Sequence, residues 1–455
     1  MTAAASSVRV LADAAARAAR YLEGLDGRAV APEPAAVAAL AALGGPLPDE
    51  PTDPLEVVAL LDRVASPATV ASAGPRYFGF VTGGTLPAAL GAAVLANAWD
   101  QNAALEVSSP AGAALERAAA AWVLDVLGLP AGAGVGFTTG ATMANVAALG
   151  AARHAVLERA GWDVEEHGLG GAPPITVVVG EEVHASLLKA LALLGLGRAR
   201  VTRVPADGEG RLRAEALPRL SGPTIVCLQA GNVNTGAFDP MRAVCEHARA
   251  AGAWVHVDGA FGLWALASAR QAALADGAAL ADSWATDAHK WLNTPYDSGL
   301  AIVRDSRMLR AAMSASAAYL QEGEGRDNTA FTPELSRRAR GAEVWAALRA
   351  LGRHGLADLV DRCCALAARF AARAADAGVE VLNDVVLNQV LLAFGDAART
   401  RAVIAAVQRE GTCWAGGTVW QGRTAMRVSV SSWATTDNDI DRSVDAVLRV
   451  AKEIP

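Results

Sequence analysis

From about residue 110 onward, short apolar runs alternate with longer segments of mixed polarity. The runs fall at 175–179, 201–204, 224–228, 254–257, 283–286 and 300–303. Their brevity, and their content of Val, Ile, Leu and Trp, predict strands buried in a sheet. Helical segments lie between most of them, which predicts a largely parallel sheet with helices on both faces, an α/β protein. Before residue 75 the chain reads as helices separated by Pro-rich turns such as Gly44-Gly45-Pro46-Leu47-Pro48. After about 340 come a helix over 343–352 and another from Leu356. A smaller α+β region follows, with strands near 389–394 and 425–430. The expected division is 1–75, a helical segment; 76–340, the large domain; and 341–455, a small C-terminal domain.

Two uncharged stretches, 77–99 and 126–152, could pass for membrane spans. Both are interrupted by Pro and Gly, so they are expected to be buried strand–loop–helix segments. At the N-terminus Arg9, Asp13, Arg17 and Arg20 recur at helical spacing, which predicts an amphipathic helix rather than a signal peptide. Alanine is abundant throughout; it favours helix but blurs its periodicity.

Composition narrows the function. Hydrophobic residues make up 53% of the 455 and charged residues 19%, the balance of a globular chain. A net charge of -7 without a basic block argues against nucleic acid as a partner. Cys227, Cys245, Cys363, Cys364 and Cys413 form no CxxC, so a reduced, cytoplasmic setting is expected, with no metal site.

The most informative residues are Asp258 and Lys290. Asp258 closes the run Trp254-Val255-His256-Val257-Asp258, and Lys290 follows Trp284-Ala285-Thr286-Asp287-Ala288-His289. Open α/β sheets bind ligands at the carboxyl ends of their strands. A lysine and a carboxylate converging there suit pyridoxal phosphate: the amine forms a Schiff base and the carboxylate pairs with the protonated ring nitrogen. Taken singly, the lysine could equally be a solvated surface residue and the Asp a turn cap. The stretch Gly136-Phe137-Thr138-Thr139-Gly140-Ala141-Thr142-Met143-Ala144-Asn145 reads as a Gly-containing loop opening a helix, a place suited to an anion.

These segments resemble the group II pyridoxal-phosphate decarboxylases, the family of aromatic amino acid and glutamate decarboxylases. The likeness rests on His256-Val257-Asp258-Gly259-Ala260 and His289-Lys290-Trp291, and runs from about Pro75 to the C-terminus. It implies a fold type I, aspartate aminotransferase-like architecture with a seven-stranded sheet, a pyridoxal 5'-phosphate cofactor and a homodimer clasped by the N-terminal helices. It implies decarboxylation of an amino acid to an amine and CO2. Lys290 would be the Schiff-base lysine, Asp258 the ring-nitrogen partner and Ala260 the small residue under the ring. Ala141 and Thr142, with Thr139, would hold the phosphate beside His289, and Ser298 would reach a phosphate across the dimer. His184 would stack on the ring and handle protons, and Asn232 would replace the usual Thr at the ring's 3-hydroxyl. Thr82 and Arg427 would contact the substrate.

Besides Asn232, three positions depart from the family pattern. Met143 replaces an acidic residue. Asp287 replaces an Asn near the phosphate, and is expected to point away or pair with His289. The polar segment 320–335 corresponds to a loop that closes over the site in the family. The loop tyrosine that returns a proton to the substrate's α-carbon is absent; its position falls near Asn328, Tyr319 lies upstream, and Phe331 cannot donate. Oxidative conversion to an aldehyde, another lyase or transaminase reaction, or a silent binding subunit are therefore the alternatives. The segment 97–105 mixes amide, acid and apolar groups and selects no substrate side chain.

Overall fold

The computed structural model describes residues 3–315 and 326–455. Its large sheet contains β1 (Gly134–Thr138), β2 (Thr176–Gly180), β3 (Thr202–Val204), β4 (Thr224–Gln229), β5 (Trp254–Asp258), β6 (Ser283–Asp287) and β7 (Gly299–Val303). The spatial order is β1-β7-β6-β5-β4-β2-β3. Strands β3, β2, β4, β5 and β6 are mutually parallel; only β7 runs against both its neighbours. This is the fold type I arrangement.

Both faces of the sheet are covered, and alternate residues feed two cores. Val177, Val179, Ile225, Cys227, Ala301 and Val303 pack on one side. Val178, Val226, Leu228, Leu300 and Ile302 pack on the other. Burial on both sides is why the strands read as unalternating apolar runs. Each such Val or Leu contributes about 1.5–3 kcal/mol. The helix Ala141–Glu158 lies in the first core with Ala144, Ala147, Ala148, Ala151, Ala152 and Ala155 fully buried. Its small side chains bring it close to the sheet, so it is apolar nearly all round and shows little amphipathic periodicity.

Two parts of the pattern fold differently from expectation. Strand β1 occupies the first residues of the predicted Gly loop. Gly134 and Gly136 hide it in the sequence, since glycine is depleted in strands. Gly136 is required there, because a Cβ would lie 2.1 Å from the Phe331 carbonyl oxygen. The segment 77–99 contains no strand: Tyr77 makes a single bridge to Trp414 before the helix Pro87–Trp99. Phe80 and Val81 take left-handed backbone angles, φ 53° and 61°, which break an extended path.

The helix Gly341–Asp376 is interrupted at Gly352 (φ 59°, ψ -176°), which separates the two expected helices. Beyond it stands a four-stranded antiparallel sheet, order β10-β11-β9-β8, of β8 (Glu380–Val381), β9 (Gln389–Ala393), β10 (Gly416–Trp420) and β11 (Arg423–Ser429). The N-terminal helices Ala3–Glu23 and Pro54–Ala65 are tied by Arg17, which bonds both Asp13 and Asp62. No helix among the described residues is long and apolar enough to cross a membrane.

Of the polar segment expected at 320–335, residues 320–325 lie outside the described residues, as does Tyr319. Residues Asn328–Phe331 form a buried 3-10 turn. The Asn328 amide is engaged on both sides, accepting from Arg326 Nε (2.9 Å) and donating to the Ala103 carbonyl (3.1 Å).

Candidate active site

Because β2, β4, β5 and β6 are parallel, their carboxyl ends open on one side of the sheet. Asp258 ends β5 and Asp287 ends β6, with Lys290 three residues on. His184 caps the helix Ala185–Leu193 that follows β2. These elements meet at a cavity lined by His184, Gln229, Gly231, Val233, Asp258, Ala260, Phe261 and Lys290.

Asp258 is 4% exposed. Its Oδ2 accepts from Asn145 Nδ2 at 3.2 Å and its Oδ1 from the Ala260 amide at 3.3 Å. Burial pushes its carboxyl up; His184, Lys290 and the Asn145 hydrogen bond oppose that without cancelling it. On His184, Ser186 aims both its hydroxyl (2.7 Å) and its amide (3.2 Å) at Nδ1. The neutral ring therefore carries its proton on Nε2. Burial lowers the His184 pKa, against the pull of Asp258, so the ring is neutral at pH 7.

Asp287 does not point away. Its Oδ1 accepts from the Ala141 amide, the first N–H of the helix Ala141–Glu158, and its Oδ2 lies 3.0 Å from Lys290 Nζ. His289 Nε2 is 3.5 Å from the same carboxylate. An open helix N-terminus attracts an anion, and this carboxylate supplies one. The expected partner His289 is thus only one of three. His289 Nδ1 accepts from the Ser298 amide at 3.1 Å, and its ring stacks on Tyr296 with centroids 4.3 Å apart. Burial lowers the His289 pKa.

The cradle at Ala141 is made by glycines. A Cβ at Gly140 would stand 3.0 Å from His289 Cε1, and one at Gly299 would strike Gly140 Cα at 2.4 Å. Thr139 and Thr142 flank it, half-buried. Ser298, the neighbour of Gly299, has a buried hydroxyl with no partner among the described residues. An unpaired buried hydroxyl beside a helix N-terminus fits a phosphate.

Asn232 is not on the cavity wall. Its Oδ1 accepts from the Asn234 and Thr235 amides (2.8 and 3.3 Å) and its Nδ2 faces Gln229 Oε1 at 3.4 Å. The side chain closes its own turn, which an Asn/Gly sequence favours. Gln229 lines the cavity instead. It was legible as the polar end of an apolar run, and it sits in register with Asp258. Thr82 is buried, 3.3 Å from the Tyr296 hydroxyl. The turn after it presses on the lysine segment: a Cβ at Gly83 would lie 1.8 Å from the Lys290 carbonyl oxygen. Gly83→Ala is expected to cost about 1–3 kcal/mol, the usual range for overpacking, read as a lowered denaturant midpoint. Arg427 is half-buried on β11 with only a long contact, 3.4 Å, to Asn234 Oδ1. It has no carboxylate partner among the described residues, and burial lowers its pKa.

The chain belongs to a family. The model of the pyridoxal-dependent decarboxylase conserved domain matches residues 40–394, so this protein is a member of the pyridoxal-dependent decarboxylases. Mouse (Mus musculus) acidic amino acid decarboxylase GADL1 is 31% identical over 306 residues, which are 64% of this chain and 55% of that protein. The chain thus spans little more than half of that relative's length. The structure of Oryza sativa TDC with PLP and tryptamine superposes with a TM-score of 0.90 at 22% identity, covering 100% of this chain and 99% of that one. Rhodiola rosea 4-hydroxyphenylacetaldehyde synthase gives 0.85 at 21%, over 100% and 99%. These two likenesses establish the fold.

Proposed function

We propose that this protein decarboxylates an amino acid with pyridoxal phosphate, using Lys290 as the Schiff-base lysine. The observation that carries the reading is the convergence of Lys290, buried Asp258 and His184 on one cavity beside the glycine-lined turn at Ala141. Bound pyridoxal phosphate supplies an electron-withdrawing ring that stabilises the carbanion left when CO2 departs.

The residues divide the remaining work. Lys290 Nζ, 3.0 Å from Asp287 Oδ2, is the amine that would hold the cofactor by its aldehyde. Asp258 holds a proton at the ring nitrogen. Ala260 and His184 line the same cavity and would flank the cofactor ring, with the His184 Nε2–H available to protonate the substrate carbon. The Ala141 amide, Thr139, Thr142, His289 and Ser298 would hold the phosphate. Thr82 contacts the substrate, and Arg427 binds a carboxylate. Asn232 acts by holding Gln229 and the turn that carries Val233, not by direct contact.

A homodimer is part of this reading. Val8, Leu11, Leu60 and Leu61 are exposed on the N-terminal helices, and a second copy would cover them. Light scattering at twice the chain mass is the expected result.

Asp287 opposes the phosphate at the Ala141 amide. Asp287→Asn is expected to tighten pyridoxal phosphate binding about tenfold, because two anions at one cradle repel by several kcal/mol and Lys290 offsets only part of that. Equilibrium dialysis measures it. Arg427→Met is expected to raise KM about 10- to 100-fold with little change in kcat, the loss of one charge-assisted hydrogen bond.

A second reading has one observation in its favour: the loop-tyrosine position falls near Asn328, whose amide is already engaged. An unprotonated carbanion open to oxygen would yield the aldehyde, with amino acid, O2 and water giving aldehyde, CO2, ammonia and peroxide. An oxygen electrode with mass spectrometry across the common amino acids tests both readings. Amine and CO2 without oxygen uptake support decarboxylation. Stoichiometric oxygen uptake with aldehyde replaces it by the second reading, and no product from a cofactor-loaded protein overturns both.

A further inference from the structure

Behind Asp258 lies a chain of buried polar side chains with no part in the functions assigned so far. His256, two residues before Asp258 on β5, is fully buried. Its Nε2 is 2.8 Å from Asn145 Oδ1 and its Nδ1 is 2.9 Å from Ser283 Oγ. Asn145 Nδ2 reaches Asp258 Oδ2, and Trp254 Nε1 donates to Ser283 Oγ at 2.9 Å.

The donor at every link follows from chemistry. A carboxylate only accepts, so Asn145 turns its NH2 to Asp258 and its carbonyl oxygen to His256. His256 must then carry its proton on Nε2, leaving Nδ1 as an acceptor. The indole N–H of Trp254 only donates, so the Ser283 hydroxyl is free to give its own proton to Nδ1. All four hydrogen bonds run one way: Trp254 to Ser283 to His256 to Asn145 to Asp258. Links pointed in one direction polarise each other and strengthen the last bond.

We propose that His256 and Asn145, set by Ser283 and Trp254, are positioning residues that hold Asp258 as an oriented carboxylate facing the cofactor's ring nitrogen. This rests on the decarboxylase reading above. Burial pulls the His256 pKa down to about 3, so the ring stays neutral and the direction of the chain does not reverse at working pH. The titratable groups facing Asp258 itself are His184, Lys290, Asp287 and the Cys227 thiol. Asn145 is the only uncharged side chain hydrogen-bonded to its carboxylate among the described residues.

Nitrogen-15 NMR of the cofactor-free protein tests the chain by itself. A neutral His256 protonated on Nε2 is expected, and protonation on Nδ1 would overturn the proposal. The second test uses the loaded enzyme. Asn145→Leu and His256→Phe are expected to lower kcat about 10- to 100-fold, the loss of one hydrogen bond to a charged group. KM should stay within about threefold, since the substrate's own contacts are untouched. The pH at which the bound cofactor's visible absorbance changes should shift as well. Ser283→Thr keeps the hydroxyl and should behave as wild type, whereas Ser283→Ala should shift the spectrum in the same sense as Asn145→Leu. Unchanged kcat and an unchanged spectral pH profile in a folded Asn145→Leu protein would overturn the proposal. If the wild type takes up no pyridoxal phosphate, the functional reading fails first and this role fails with it, whatever the His256 tautomer.

Discussion

Lys290→Ala is expected to abolish turnover while leaving the fold intact. The chain contains three lysines, Lys189, Lys290 and Lys452. Lys189 and Lys452 are exposed on helices, far from any strand end. Only Lys290 sits at the cavity, its amine held by Asp287. Borohydride reduction of the loaded wild type should therefore fix the cofactor to one peptide, the one bearing Lys290. In Lys290→Ala that label should vanish, and kcat should drop at least about 1000-fold, about 4 kcal/mol at 1.36 kcal/mol per decade. The substitution adds no bulk but leaves the buried Asp287 carboxylate without its amine, so the melting temperature should fall while the protein still folds. A label that moved to Lys189 or Lys452 with activity retained would end the proposed role of Lys290.

How much of this site could be read from the sequence depends on how local its signals are. Asp258, Lys290 and His184 each follow an apolar run, and a parallel sheet brings such ends together without further information. Strand β1 could not be seen the same way, because Gly134 and Gly136 weaken its pattern and the second glycine is there for the Phe331 carbonyl. The small sheet was half-visible. Strands β9 and β11 are apolar and central, whereas β8 has two residues and β10 is half-exposed at an edge. Asp287 was legible in part: of its two expected placements the pairing with His289 is present at 3.5 Å, whereas the Ala141 amide that also claims its carboxylate carried no sequence signal. The Asn145–His256 link was hidden by distance along the chain, 111 residues. No periodicity carries a contact of that span. Asn232 had two readings in sequence, and its own turn claimed the amide.

Asp258→Asn is the second large expected loss, and it separates binding from chemistry. The position is too enclosed for a longer acid, at 4% exposure, but an amide has the same shape. Asn145 presents an N–H to Oδ2 and Ala260 a longer one to Oδ1, so the new amide keeps only one of the two bonds; with its oxygen toward Asn145, its NH2 takes the Oδ1 place and gives up the Ala260 bond. An N–H facing the ring nitrogen makes that nitrogen an acceptor, and the ring loses the proton that makes it a strong electron sink. His184 and Lys290 also lose the carboxylate that faces them. Removing one member of a buried charged group costs about 3–5 kcal/mol, so kcat should fall by about two to four decades. Because Lys290 is intact, borohydride labelling should persist at wild-type yield. Lost turnover with retained label is the pattern a ring-nitrogen partner requires. Loss of both would make Asp258 a binding or folding residue, and wild-type kcat would remove it from the mechanism.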